Sequence, residues 1–339
     1  MNGDTAMTLP ITGPITGPIT GLPATGLSAP GRLRMTPARV LTLVIGVPLV
    51  LALIGWTGFG VVTEFSQASF PVSYAIPVNH GQLVASIADG NLTARPGPGN
   101  TGRLTGNVQY TLIRPAMSAS TTASGTTIGV NCHIQVGNCG LNATLLVPGH
   151  TSVTLSTGGG DMTVSGTGGN VSLSSAGGDV AVSQVAGSAS VSSGGGDMTV
   201  SGTGGNVSLS SAGGDVALSQ VPGSASVSTG GGDLTASILA GRLTFQTEGG
   251  DVSADTLTAP YLYADSGGGD VSLVFTRPPG YLDIMSDGGN VTVVLPHGSP
   301  AYDVVTTTDG GNLATGVPTS SSASDKITIN SGGGDISVT

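Results

Sequence analysis

Six aspartates recur at a spacing of 18: Asp161, Asp179, Asp197, Asp215, Asp233 and Asp251. At the half-period stand Asn170, Ser188, Asn206, Ser224 and Arg242. A regular column of carboxylates is raw material for a cation ladder, because a divalent ion can bridge oxygens from successive repeats. The local pattern weakens that reading. Calcium-binding nonapeptide rolls carry a second loop glycine and place their carboxylate later in the turn. Here each turn offers one carboxylate directly after its glycines, whereas calcium prefers 6–8 oxygens. The six aspartates are weak candidates for a cation ladder; the reading preferred from the sequence is solvated turn residues bonded to nearby amides.

The other reactive residues are sparse. Cys132 and Cys139 bracket a short polar segment. In an oxidising compartment two cysteines seven apart across a hairpin read as a disulfide. Zinc would need four ligands, and adding His133 and His150 fits no known spacing. The glycine clusters do not make phosphate loops, since no helical period follows them and the only lysine is Lys326. All four histidines (His80, His133, His150, His297) lie outside the regular repeats, and no strained Ser elbow accompanies them. No catalytic, cofactor-binding or metal site is assigned, and the chain is expected not to be an enzyme.

Composition narrows what could position such residues. Of 339 residues 58 are Gly, only 8% are charged and 4% are aromatic. The glycines come in pairs and triplets, which excludes collagen. Nine Lys+Arg against 19 Asp+Glu, a net charge of −10, exclude nucleic-acid binding through a basic surface.

Val40 to Val62 is 23 residues without a charge, long enough to span a bilayer as a helix of roughly 34 Å. Arg32, Arg34 and Arg39 precede it and Glu64 follows, so the positive-inside rule puts the N-terminus in the cytoplasm and the rest outside. The competing reading is a cleaved signal peptide, but the apolar run exceeds the usual core and 39 residues precede it. Residues 1–39 repeat Pro-Ile-Thr-Gly and read as a disordered cytoplasmic tail. The Leu22–Gly26 pentapeptide matches a sortase signal in letters but sits at the wrong end, before the bulk of the chain.

Internal repetition sets the fold. Residues 158–193 recur as 194–229 with 33 of 36 positions identical. Inside lies a period of nine: a glycine bend, an Asp or Asn, and a short apolar–polar alternation such as Met162-Thr163-Val164-Ser165. Glycine is expected to supply positive φ at the bend. Two apolar side chains per nonapeptide cannot offset the ordering cost alone. Two nonapeptides per coil would stack Met162, Val180, Met198, Val216, Leu234 and Val252, giving an all-β protein, a β-solenoid resembling a parallel β-helix. A coil of 18 explains this stacking better than one of 36.

After Asp251 the spacing loosens through Asp270, Asn290, Asn312 and Asp335, read as successive coils with small insertions. Tyr261, Tyr263, Tyr281 and Tyr302 cluster there and are expected to widen the core. The expected division is thus tail 1–39, membrane helix 40–62, a β-rich cap over 63–150 and the solenoid over 151–339.

The segment Val147-Pro148-Gly149-His150-Thr151-Ser152-Val153, running into Gly159-Gly160-Asp161-Met162-Thr163-Val164, resembles a bacterial putative-adhesin domain family of unknown function, related to the head domains of putative auto-transporter adhesins. The resemblance covers roughly residues 72–339. It implies a β-solenoid displayed at a bacterial surface behind a single membrane helix, with no catalytic residues to carry over. The expected function is a membrane-anchored, non-enzymatic surface protein with a binding or structural role. A surface glycan or another envelope protein is the candidate partner. The alternative is an envelope accessory or sensor protein that couples the ectodomain to a cytoplasmic partner.

Overall fold

The structure is a computed structural model that describes residues 67–78, 81–87, 89–111, 114–122, 125–131 and 139–339. The tail at 1–39, the apolar segment at 40–62 and Cys132 lie outside them. Among the described residues every regular element is a strand, and no helix is long and apolar enough to cross a membrane.

Each nonapeptide forms one short strand, and consecutive strands alternate between two sheets of 14 and 13 strands. Strands Val171–Ser175, Ala189–Ser193 and Val207–Ser211 are parallel neighbours in one sheet, and Val180–Val185, Met198–Thr203 and Val216–Val221 in the other. The register is strict: Val171 opposes Ala189, and Val180 opposes Met198. A coil is therefore 18 residues, two strands and two turns.

Alternation then does what a period of two requires. The coil spanning Ala189–Thr203 sends Ala189, Val191, Met198, Val200 and Thr203 inward, and turns Ser190, Ser192 and Thr199 to solvent. The two inner faces share one aliphatic core from Val72 to Val338. Burying a Val or Leu side chain is worth about 1.5–3 kcal/mol, so a coil becomes stable only when neighbours cover both its edges. Phe245 is a fully buried ring in the repeat core. Its sheet neighbour Ala264 and the facing-sheet residues Ala236 and Ala254 are all alanines, which leaves it volume.

Chain order and spatial order part company at both ends. The C-terminal strands Lys326–Ser331 and Ile336–Val338 do not follow the coil containing Asp303–Thr308 and Leu313–Thr315. They are inserted between that coil and the one formed by Tyr281–Ser286 and Val291–Val294. Asn312 and Asp335 thus stack in the reverse of their sequence order, which corrects the reading of successive coils. At the other end Gln82–Ile87 and Leu92–Gly97 form a coil that pairs with Ser152–Thr157 and Met162–Ser165. Gly125–Asn131 and Cys139–Pro148 stack on its far side. Coiling begins at Gln82, inside the segment read from sequence as a cap. Antiparallel strands Gln67–Pro77, Thr101–Thr111 and Ala116–Thr122 close that end.

The glycines serve close approach more than backbone handedness. Among the glycines that precede the stacked Asp and Asn residues, Gly178, Gly196, Gly214, Gly232 and Gly250 have no positive φ, but a Cβ on any of them would run into the preceding coil's backbone. Two positions earlier the stack alternates in space: Ala176, Gly194, Ala212, Gly230, Glu248, Gly267, Asp287, Gly332, Asp309. A Cβ on Gly194, Gly230, Gly267 or Gly332 would meet the carbonyl of the non-glycine residue before it. Alternate coils pack differently at this turn, so the coil is 18 residues while the packing repeat is 36. The alternation survives past the duplication only in spatial order, with Gly332 between Asp287 and Asp309.

Candidate functional site

The turn column is the first structure built from the singled-out residues. Asp161, Asp179, Asp197, Asp215, Asp233 and Asp251 do stack, each one coil above the last. The Asp161 Oδ1 accepts the backbone N–H of Asp179 at 3.1 Å, and the same bond recurs from Asp179 to Asp197, Asp197 to Asp215, Asp215 to Asp233 and Asp233 to Asp251 at 2.9–3.0 Å. The ladder continues at both ends, at the N-terminal side through two asparagines that spacing did not assign. Asn142 accepts from Asn91 and Asn91 from Asp161. Beyond Asp251 it runs through Asp270, Asn290, Asp335 and Asn312 in spatial order.

The expected bond to a nearby amide is thus a bond to the next coil. Neighbouring carboxylates about 4.8 Å apart repel by roughly 0.9 kcal/mol in water before screening. A hydrogen bond from an amide to a charged oxygen contributes about 1.5–3 kcal/mol, which offsets that repulsion. Among the described residues no group of three or more His, Cys, Asp or Glu is arranged to hold a metal ion.

A second column runs up the opposite edge of the other sheet. Ser152, Asn170, Ser188, Asn206 and Ser224 are linked by the same type of bond, 2.9–3.3 Å. Above Ser224 the chemistry changes while the register persists. The Arg242 guanidinium lies 3.8 Å from the Tyr261 ring centroid. Tyr261 stacks on Tyr281 at 4.9 Å with an interplanar angle of 6°. Tyr281 is opposite Lys326, and Lys326 pairs with Asp303 at 3.8 Å.

Tyr261, Tyr263 and Tyr281 therefore stand on the outer face and do not widen the core; of the four expected there, only Tyr302 is fully buried. The odd–even register of their strands decides this, since Leu262, Ala264, Leu282 and Ile284 take the inward positions. The Tyr263 hydroxyl donates to Asp265 at 3.1 Å. Burial, then this bond and the nearby carboxylates, hold its proton on above the usual tyrosine range. Tyr281 is raised in the same direction, chiefly by Asp283.

Beside the second column runs a row of hydroxyls: Thr154, Ser172, Ser190 and Ser208. Between the two rows lies a groove of about 410 Å³ along the solenoid axis, from Gln82 to Asn206, and no ionisable residue lines it. It offers hydroxyl and amide groups at a one-coil repeat over a non-polar floor.

A third column escaped the sequence reading. Buried Ser175, Ser193, Ser211 and Thr229 point inward, and each side-chain oxygen accepts the N–H of the glycine three residues on at 2.9–3.1 Å. The signal was present as Ser/Thr-x-Gly-Gly-Asp/Asn. Of the remaining candidates, Cys139 opens the strand Cys139–Pro148. His150 and His297 occupy turns at opposite ends of the solenoid.

The sequence model described as Toastrack DUF4097 matches residues 120–339. No curated protein matches the chain. Solved structures that it resembles include a putative adhesin from Bacteroides fragilis, 15% identical over 80% of this chain and 97% of that one, with a TM-score of 0.35. A putative adhesin from Parabacteroides merdae is 12% identical over 78% and 95%, with a TM-score of 0.33. A putative cell adhesion protein from Clostridium sporogenes is 9% identical over 79% and 99%, with a TM-score of 0.23.

Proposed function

The chain belongs to the Toastrack DUF4097 family, and we propose that it is a bacterial cell-surface protein with an adhesin-like, non-enzymatic solenoid that binds through an extended face. Residues 40–62 anchor it as a single-pass membrane helix, residues 1–39 face the cytoplasm, and the solenoid stands outside. Cys132 and Cys139 form a disulfide in that oxidising setting. The uncharged segment at 40–62 and the three arginines before it support the orientation.

The observation that carries the binding role is the uncharged groove between the Ser152–Asn206 and Thr154–Ser208 rows. A neutral, repetitive, hydrogen-bonding surface matches a neutral polymer such as an envelope glycan better than a charged partner.

The test has two arms, both with the full-length chain. Protease added to intact cells is expected to remove the solenoid; its survival until lysis would place it inside and end the proposal. Cells or membranes displaying it are expected to retain immobilised neutral polysaccharide, and Ser172→Lys with Ser190→Lys and Ser208→Lys is expected to abolish retention. Those three side chains point outward, so the core is untouched. Retention that ignores the triple change would remove the groove from the account.

A further inference from the structure

Charge is segregated along the chain. From 67 to 150, Arg95, Arg103 and Arg114 face a single carboxylate, Asp89, a net +2. From 151 to 339, Arg242, Arg277 and Lys326 face 16 Asp+Glu, a net −13. Asymmetry of this kind between two parts of a chain points to a charged surface as partner. The fold gathers the basic part at its antiparallel end. Strands Gln67–Pro77, Thr101–Thr111, Ala116–Thr122 and Gly125–Asn131 hold no Asp or Glu.

Arg95 and Arg103 both stand opposite Leu146, one from each side, so they share a row across one sheet. Parity turns them outward, since Ala94 and Leu104 take the inward positions. Arg114 is held over the Phe70 ring, 4.2 Å from its centroid, and Phe70 meets Tyr110 edge-on at 5.9 Å. All three arginines are exposed, and among the described residues none of them is in an ion pair. Tyr74 is exposed on the end strand and adds an amphipathic ring of the kind that sits at the headgroup level of a bilayer. Gln67 pairs with Thr111, so the end strand begins close to Arg114.

We propose that this end of the solenoid rests on anionic phospholipid headgroups, with Arg95, Arg103 and Arg114 bonding lipid phosphates. For its geometry the proposal rests on the reading of residues 40–62 as a membrane anchor. Charge complementarity selects the occupant. A guanidinium binds phosphate through two parallel N–H···O bonds, whereas the acidic coils are repelled by the same surface. Chain length brings the two together. Only residues 63–66 join the anchor to Gln67, and four extended residues reach about 14 Å. The field of an anionic leaflet fades over a Debye length of about 10 Å, so the end that the tether holds feels it most. The segregated charge then sets which end of the stack faces the bilayer.

The test uses the full-length chain in lipid nanodiscs, with amide hydrogen exchange as the readout. In discs of phosphatidylcholine with phosphatidylglycerol, exchange along Gln67–Pro77 is expected to be slower than in phosphatidylcholine alone. The inner strand Val171–Ser175 should exchange equally in both. Each arginine near an anionic surface is worth about fivefold in the docking equilibrium, so Arg95→Gln with Arg103→Gln and Arg114→Gln should weaken docking by about a hundredfold and abolish the difference. Arg95→Lys with Arg103→Lys and Arg114→Lys should preserve it. High salt should abolish it in the parent chain, which decides the matter even if the glutamine variant fails to fold. Equal exchange in the two lipids would overturn the proposal. So would a difference that survives the glutamine variant, or the same slowing produced in phosphatidylcholine discs by inorganic phosphate. Flotation with phosphatidylcholine vesicles reports on the anchor separately. A chain that fails to float there, yet floats with phosphatidylglycerol through the three arginines, would remove the anchor and keep the headgroup contact; floating with neither would overturn both.

Discussion

Gly213 and Gly214 are adjacent, both glycine, and expected to respond oppositely to alanine. Gly213 is exposed, has no positive φ, and has nothing within 4 Å of where a Cβ would sit. A Cβ on Gly214 would lie 2.5 Å from the Gly196 carbonyl carbon and 2.9 Å from the Asp197 amide nitrogen, and closer still to the Gly196 oxygen. Carbon pairs settle at about 3.5–4.0 Å, so the coils would have to part by about 1 Å at this turn. The turn cannot open alone, because the Asp215 amide donates to Asp197 Oδ1 at 3.0 Å and Met198 N–H to the Asp215 carbonyl at 2.8 Å. Overpacking costs about 1–3 kcal/mol, and each weakened hydrogen bond adds about 0.5–1.5 kcal/mol. Gly214→Ala is therefore expected to cost about 2–6 kcal/mol. Gly213→Ala should be neutral or stabilise by about 0.4–1 kcal/mol, since it restricts the unfolded chain at no native cost. Urea denaturation followed by far-UV circular dichroism reads the difference. Amide exchange at Met198 and Asp215 reports local opening, which matters because long stacks need not unfold in one step. Equal midpoints for the two variants would refute the close-approach explanation and return the glycines to a role in backbone handedness.

Other substitutions test other columns. Thr203 is buried, its hydroxyl has no hydrogen-bond partner, and Val185 holds the equivalent place one coil away; Thr203→Val should raise stability by about 1–2 kcal/mol in the same denaturation assay. Asp215→Asn keeps the oxygen that accepts from Asp233 while removing two like-charge contacts, so it should match or slightly exceed the parent. Asp215→Ala loses the bond and should cost about 1 kcal/mol, and the parent melting temperature should be the same in calcium and in chelator. Burial holds the Tyr302 proton on above the usual tyrosine value of 10.0, with Ser299 opposing but not meeting hydrogen-bond geometry. A raised folded-state value gives stability that is full below pH 10 and lost as pH rises through the folded value. Tyr302→Phe should therefore flatten the alkaline end of a melting-temperature profile; an unchanged slope would assign it to other groups.

Much of the repeat was legible because its physics is local. A period of two inside a period of nine places Met162 and Val164 on one face, and 18-residue stacking follows from the need to cover both edges of a strand. The Asp column was legible for the same reason, although its bonds run between coils and not within turns. Order at the ends was not legible. Spacings of 19 to 23 residues fit successive coils as well as an excursion that leaves room for a later one, and it is the spatial pairing, such as that of Asn290 with Asp335, that distinguishes them. Tyr261 and Tyr281 were misplaced because ring size suggested burial, whereas strand parity put Leu262 and Leu282 inside. The Ser175-type caps were missed because serine on a β-strand is also the default outward residue, and nothing but its distance from the glycine pair marks it as inward.

Deleting residues 194–229 removes two coils and one whole packing repeat, and leaves Ser193 joined to Gly230 in a register the structure already uses. Small-angle scattering of the full-length chain should show an intact fold shortened by about 10 Å, two rungs of roughly 4.8 Å. Deleting only 194–202 exchanges the two sheets for everything downstream and should leave no folded rod. Two deletions equally tolerated, or a 36-residue deletion that unfolds the protein, would contradict a solenoid of 18-residue coils.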